Sequence, residues 1–227
     1  KSNWQTSNVD NKNKSVILDL WNGHNTSSGT DVNYSPNPDY GRLLIYLSAS
    51  GPGTEGKYPF QVHLASGSTV WDLEFGANIT TSSMNNQWGH FAFTFQSSSA
   101  NSSLEAKFYH SGAYIGSFGE VTGSMVAHLG ALQTVPSGNA FNSYAYPSTT
   151  YKGFGGIKAD LDEFRYWKAS RTGEDIGLNY FTQVRGGTNT DPANTELGVY
   201  YKFNEGTTGT SSIDSIVLDY SGRISNG

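Results

Sequence analysis

The chain has 227 residues, 36% hydrophobic, 14% aromatic and 15% charged, with 27 glycines, no cysteine and a formal net charge of −5. Mild acidity without a Lys/Arg run argues against a nucleic-acid partner, because that affinity comes from cations neutralising phosphates. No cysteine means no disulfide framework and no thiolate metal site, and no apolar run reaches the roughly 20 residues of a membrane-spanning helix.

With few long charged side chains, burial falls to Phe, Tyr, Trp and β-branched residues, which favour pleated surfaces. The length suits one undivided all-β domain over residues 1–227. The opening Lys1-Ser2-Asn3 carries no initiator Met or signal peptide, which reads as a piece of a longer protein.

Short apolar runs between Gly, Ser, Asn and Pro clusters predict strands in chain order. The first are Val16 to Trp21, Arg42 to Ala49, Phe60 to Ser66, Val70 to Phe75 and Trp88 to Phe95. Further strands are predicted near Glu105 to His110, Tyr114 to Phe118, Met125 to Leu129, Leu161 to Trp167 and Val199 to Phe203. In HFAFTF the alternation puts Phe91, Phe93 and Phe95 on one face and His90, Ala92 and Thr94 on the other.

Gly51 to Lys57 reads GPGTEGK, a formal match to phosphate-binding glycine motifs. Those motifs need a following helix whose amides face the phosphates, and here Tyr58-Pro59 leads into a strand. A glycine-rich turn is the better reading. The histidines His24, His63, His90, His110 and His128 are too scattered to suggest a local metal pair.

Two segments read as long loops: Pro136 to Gly156, rich in Ser, Gly and Tyr, and Arg185 to Glu196, rich in Asn and Thr. Loops of this length are more often functional than connective. In the first, Tyr144, Tyr146, Tyr151 and Phe154 with Asn139 and Asn142 offer rings for a pyranose face and amides for its hydroxyls. The alternative is that the same rings pack against a neighbouring domain or subunit.

The stretch Asp160 to Trp167, DLDEFRYW, holds three carboxylates. A sandwich glycosidase needs two acids facing one cleft, about 5 to 9.5 Å apart depending on stereochemistry. Strand periodicity pairs Asp160 with Asp162 and turns Glu163 to the opposite face, with Arg165 and Trp167. An acid beside aromatic residues must be neutralised, paired or metal-bound, which favours anchoring. Asp72 and Glu74 make a second i, i+2 pair and are the best remaining candidates for paired acids. One short helix is expected after Thr172, where Asp175 three residues on completes a capping box.

These stretches carry a resemblance. ADLDEFRYWKASRTGEDI resembles the closing strand and short helix of laminin-G-like domains of the concanavalin A-like lectin/glucanase superfamily, through Asp162 to Trp167 and Arg171, Glu174 and Ile176. QWGHFAFTF is similar to that family's W-x-H strand, and MVAHLGAL to its strand ending in glycine. Tyr200 to Gly222 resembles its Y-x-F-D-E-G…D-x-S-G signature. That signature opens the domain in many relatives, so residues 197–227 either close this sandwich or begin a following module.

The resemblance implies an all-β, two-sheet antiparallel jelly-roll β-sandwich with one short helix. It implies a calcium ion, with Asp162, Asn204, Glu205 and Asp219 at signature positions. It also implies binding of a glycan or polysaccharide, or of protein, on rim loops. The glucanase branch carries an E-x-D-x-E type strand that this sequence lacks, so no catalytic residue is expected. The Asn-rich phrasing also resembles laminin-G-like modules of tailed-phage structural proteins.

The first expectation is thus a non-catalytic carbohydrate-recognition or adhesion module of a larger virion or cell-surface protein, extracellular, without membrane insertion or nucleic acid. The alternative is a structural module stacking on neighbouring subunits of a fibre or capsid. Glycoside hydrolysis stands third.

Overall fold

The computed structural model describes residues 14–21, 41–48, 59–66, 69–77, 79–84, 86–98, 103–110, 117–118, 126–129, 157, 159–184, 196–204 and 217–221. Among them the architecture is all-β, with antiparallel sheets and little helix. The first four strands are β1 (Lys14–Trp21), β2 (Gly41–Ser48), β3 (Phe60–Ser66) and β4 (Thr69–Phe75). A single turn, α1 (Thr81–Met84), precedes β5 (Ala92–Ser98), β6 (Ser103–Tyr109), β7 (Ser117–Phe118) and β8 (Val126–Leu129). Strand β9 (Phe164–Trp167), helix α2 (Gly173–Asn179) and strand β10 (Leu197–Tyr201) follow.

Among the described residues these strands form three sheets, in the orders β4-β3-β2-β1-β8, β5-β6-β7 and β10-β9. Register fixes the core face of the largest. Leu18 lies opposite Ile45, Ile45 opposite Val62 and Val62 opposite Leu73, so one apolar face runs across four strands. Aromatic residues of β3 and β4 meet those at β5 and β6: Phe60 lies 4.7 Å from Phe91 and 4.9 Å from Phe108, and Phe75 lies 6.0 Å from Phe93. These tilted and edge contacts, 4.5 to 7 Å apart, are the geometry that ring quadrupoles favour. The expected grouping of Phe91, Phe93 and Phe95 holds, and all three pack on this core.

Across β1 to β3 the opposite face of the same sheet is polar in sequence yet buried in space, whereas Asp72 on β4 is exposed. Phe60 to Ala65 are buried at every position, so Gln61 and His63 are as enclosed as Val62 and Leu64. Burial of polar groups requires partners. Arg42 Nε and Nη2 donate to Asp19 Oδ1 and Oδ2 at 2.7 and 2.5 Å, with both side chains essentially inaccessible. His63 Nδ1 stands 2.6 Å from Asp72 Oδ1, the residue paired with it across the ladder.

Element boundaries differ from expectation for local reasons. Strand β5 begins at Ala92 rather than Trp88, leaving Trp88 to Phe91 in extended chain outside any ladder. Strand β9 begins at Phe164 rather than Leu161, because Glu163 takes a left-handed φ of 54° and breaks the pleat. Turn α1 escaped the sequence pattern because TSSM has no helical periodicity. It follows a turn in which Ile79 N–H donates to Gly76 O at 2.8 Å, with Gly76 at φ 89°.

Removing one member of the buried ion pair leaves the other charge without its counter-ion. Asp19→Ala is expected to lower stability by about 3 to 5 kcal/mol, measured by urea unfolding. A double Asp19→Leu, Arg42→Met chain should recover much of that loss, and equal stability of Asp19→Ala and wild type would refute the pair's role.

Candidate functional site

The C-terminal unit is built around Arg165. Strand β9 pairs antiparallel with β10, placing Arg165 opposite Tyr200 and Phe164 opposite Tyr201. The Arg165 guanidinium lies over the Tyr200 ring at 5.5 Å. It forms an ion pair with Glu163 at 2.7 Å, and it donates to the Asn179 carbonyl at 3.1 Å and to the Thr182 carbonyl. Tyr200 completes the link by donating its hydroxyl proton to the same Glu163 oxygen at 2.6 Å. Burial first, then Glu163, pushes the Tyr200 phenol up to about 12. The left-handed backbone at Glu163 costs roughly 1 to 2 kcal/mol, and it brings that carboxylate to two donors.

Helix α2 starts as its capping box dictates. Asp175 N–H donates to Thr172 Oγ1 at 3.1 Å, and Thr172 N–H donates back to Asp175 Oδ2 at 3.3 Å. The Thr172 hydroxyl also donates to Asp175 Oδ2 at 2.8 Å, and that bond first, then the one from Thr172 N–H, holds the Asp175 carboxyl below the usual carboxylate value. Asp175, rather than Glu174, faces Arg171, at 3.4 Å. Arg171 also pairs with Glu196 at 3.1 Å and covers the Trp167 ring at 4.7 Å.

Between this unit and the core face of the large sheet lies a cleft of about 1040 Å³. Its lining joins the partly buried rings of Phe91, Phe93 and Phe95 and buried core residues such as Leu18 and Leu20 to the polar side chains of Asp160, Glu163, Arg165 and Asp175. Closed and dry, such a space would cost on the order of 25 kcal/mol at ~24 cal/mol per Å³. A domain is stable by only about 5 to 15 kcal/mol, so this space is not a closed, dry cavity.

Aromatic residues gather at the mouth. Trp88, His90 and Tyr180 line it, and the His90 and Tyr180 rings are 5.1 Å apart. Phe181 meets Tyr180 edge-on at 5.2 Å. Trp88 is 63% exposed, Tyr180 44% and Phe181 72%, whereas rings of this size normally lose most of their surface to a core. Exposed amides and a hydroxyl line the same cleft: Gln87, Asn179, Thr182 and Gln183. Burial, then the Arg165 and His110 charges, hold His90 below the usual imidazole value of 6.5, so the neutral ring is favoured.

Asn139, Asn142, Tyr144, Tyr146, Tyr151 and Phe154, and also Glu205, lie outside the described residues. Asp162 and Asn204 are exposed. Asp219 Oδ1 accepts the Tyr200 and Ser221 N–H groups, both at 2.9 Å, and Oδ2 accepts the Ser221 hydroxyl at 2.8 Å. That arrangement ties the 217–221 segment to β10 as an Asx-turn. Among the described residues no group of three or more His, Asp or Glu side chains could hold a metal ion. Asp72 is engaged by His63, and Glu74 stands opposite Gln61, with its Oε1 buried and unbonded among the described residues.

Sequence reasoning passed over the mouth. Trp88 and His90 lie before β5 rather than in the strand expected from Trp88 to Phe95, and Tyr180 lies just past the short helix. The usable signal was Tyr180-Phe181, adjacent aromatic residues just past a helix end, which cannot both turn to one core. Set against family models, curated proteins and solved structures, the chain matches none.

The direction of the His90 shift fixes a pH dependence. A depressed folded value means that the unfolded chain binds more protons below 6.5, so the stability owed to neutral His90 is present above 6.5 and is lost as pH falls beneath it. Thermal melts between pH 7.5 and 5 should fall less steeply for His90→Asn than for wild type. Parallel curves would exclude His90 as a source of the acid loss.

Proposed function

We propose that this domain is a non-catalytic carbohydrate-recognition module of an extracellular, virion or cell-surface protein, and that its sheets form a laminin-G-like jelly-roll sandwich. The observation that carries this is the exposure of the Trp88 and Tyr180 rings, which line one cleft together with the Gln87, Asn179 and Gln183 amides. A pyranose presents C–H groups on its faces and hydroxyls around its edge, so an apolar ring beside amide groups matches both parts. Arg165 supports the reading by fixing the carbonyls at Asn179 and Thr182 that flank Tyr180 and Phe181, so the rings are set before a ligand arrives.

The absence of a catalytic role is supported by the acids themselves. Glu163 is held by Arg165 and Tyr200, and Asp72 by His63, so the Asp72 and Glu74 pair does not offer two uncommitted carboxylates. Calcium belongs to the same reading, drawn from Asp162 and Asn204 with Glu205 and main-chain carbonyls. Asp219 fits such a set poorly, because both its oxygens already accept hydrogen bonds. The runner-up is a structural module of a fibre or capsid. The exposed Leu178, 62% accessible, and Phe181 favour it, since apolar side chains on a helix also suit a subunit contact.

A glycan array followed by calorimetry tests the lectin reading. Trp88→Ala and Tyr180→Ala should each weaken the selected glycan about tenfold, or about 1.4 kcal/mol, with the fold retained. No bound glycan at high loading, together with concentration-dependent self-association in the ultracentrifuge, would replace this reading with the structural one. Saturating calcium, at about a hundredfold its dissociation constant, adds about 2.7 kcal/mol. For a chain of this length that is a rise of about 5 to 10 °C in melting temperature over chelator, and overlapping melts would remove the metal.

A further inference from the structure

Residues Trp88 to Phe91 run in extended chain outside any ladder, between Asn86, at a left-handed φ of 58°, and the start of β5 at Ala92. Their anchor is one ring. Phe91 packs on Phe60 at 4.7 Å and stacks on Phe108 at 6.3 Å, and a Cβ added at Gly89 would come within 2.9 Å of its Cζ. From there the segment reaches the C-terminal unit through His90, whose ring lies tilted by 41° against Tyr180. Chain outside a ladder opens at low cost.

The charges that bear on His90 are cations, Arg165 from β9 and His110 from just past β6. Among the described residues Asp160, Asp162 and Asp175 line the same cleft without an ion pair to His90, and Glu163 is engaged by Arg165 and Tyr200. Arg165 cannot retreat from a proton on His90, because Glu163, two carbonyls and the Tyr200 ring hold it. The segment outside the ladder is the side that can give. We propose that Trp88 to His90 form an acid-released clasp, in which a proton on His90 parts it from Tyr180 and withdraws Trp88 from the cleft that both rings line.

Linkage sets the direction and the limit of the effect. Burial and the two cations favour the neutral ring while it is docked, and water around the released ring removes that penalty, so proton uptake favours release. Acid can shift the equilibrium by no more than the ratio of proton affinities in the two states. A tilted contact with a Tyr180 ring that is 44% exposed is weak enough for such a shift. Attraction between an imidazolium and the Tyr180 ring works the other way, and the experiment reads which prevails. The clasp does not depend on the glycan reading; the loss of sugar affinity in acid that follows from it does.

Nuclear magnetic resonance on the sugar-free chain, with histidine and the aromatic residues labelled, tests the clasp. Cross-relaxation between the His90 and Tyr180 ring protons should be present at pH 7.5 and fall in step with protonation of His90, at a midpoint below 6.5. That between Phe60 and Phe108 in the core should persist. His90→Phe, a ring that takes no proton, should keep its contact with Tyr180 from pH 7.5 to 5. A His90 to Tyr180 contact that outlasts protonation, or strengthens with it, overturns the clasp. Equal acid loss in a folded His90→Phe chain does so too, as does simultaneous loss of the Phe60 to Phe108 contact, which is general unfolding. An empty glycan array would remove only the sugar consequence and leave this result standing.

Discussion

A sheet buried on both faces is the constraint from which the rest follows. Strands β2 and β3 carry Leu and Val toward one layer and Arg42, Tyr46, Gln61 and His63 toward the other, and both sides exclude water. The apolar side is stabilised by area alone. The polar side is stable only where charge meets charge in a fixed geometry, as Arg42 does with both oxygens of Asp19. That bidentate bond joins β1 to β2 and fixes their register, since a slip of one residue would turn Arg42 into the Phe60 layer.

The same economy of partners shapes the C-terminal unit. Arg165 joins Glu163, the Tyr200 ring and the carbonyls at the end of α2, so one guanidinium links β9, β10 and the chain beyond the helix. Its planar fork suits this, because several donors leave one rigid group in fixed directions. The consequence reaches the surface: with Asn179 and Thr182 held, Tyr180 leans on His90 and Phe181 stays in solvent. The proposed recognition of a sugar therefore depends on an ion pair that never touches it.

The strand order along the chain, the Phe91-Phe93-Phe95 grouping and the Thr172 cap were all legible, because each rests on contacts within a few residues. The role of DLDEFRYW was half legible. Alternation implied that an acid there would anchor, and the anchor is Glu163, whereas the resemblance pointed to Asp162. The choice turned on a left-handed residue and a tyrosine thirty-seven positions away, neither of which has a local sequence signal.

By itself the sequence determined the class of the protein. Period-two apolar runs, abundant aromatic residues and few long charged side chains commit it to antiparallel β-structure, since no helix could bury such a pattern. Only the tertiary structure decided that the second face of the sheet is buried, because alternation marks Gln61 and His63 as polar but says nothing of what covers them. It alone brought Trp88 to the same rim as Tyr180, ninety-two residues later in the chain. It alone formed the cleft that both line. A cleft is the space between elements, and no local run of residues encodes the distance at which two elements stop.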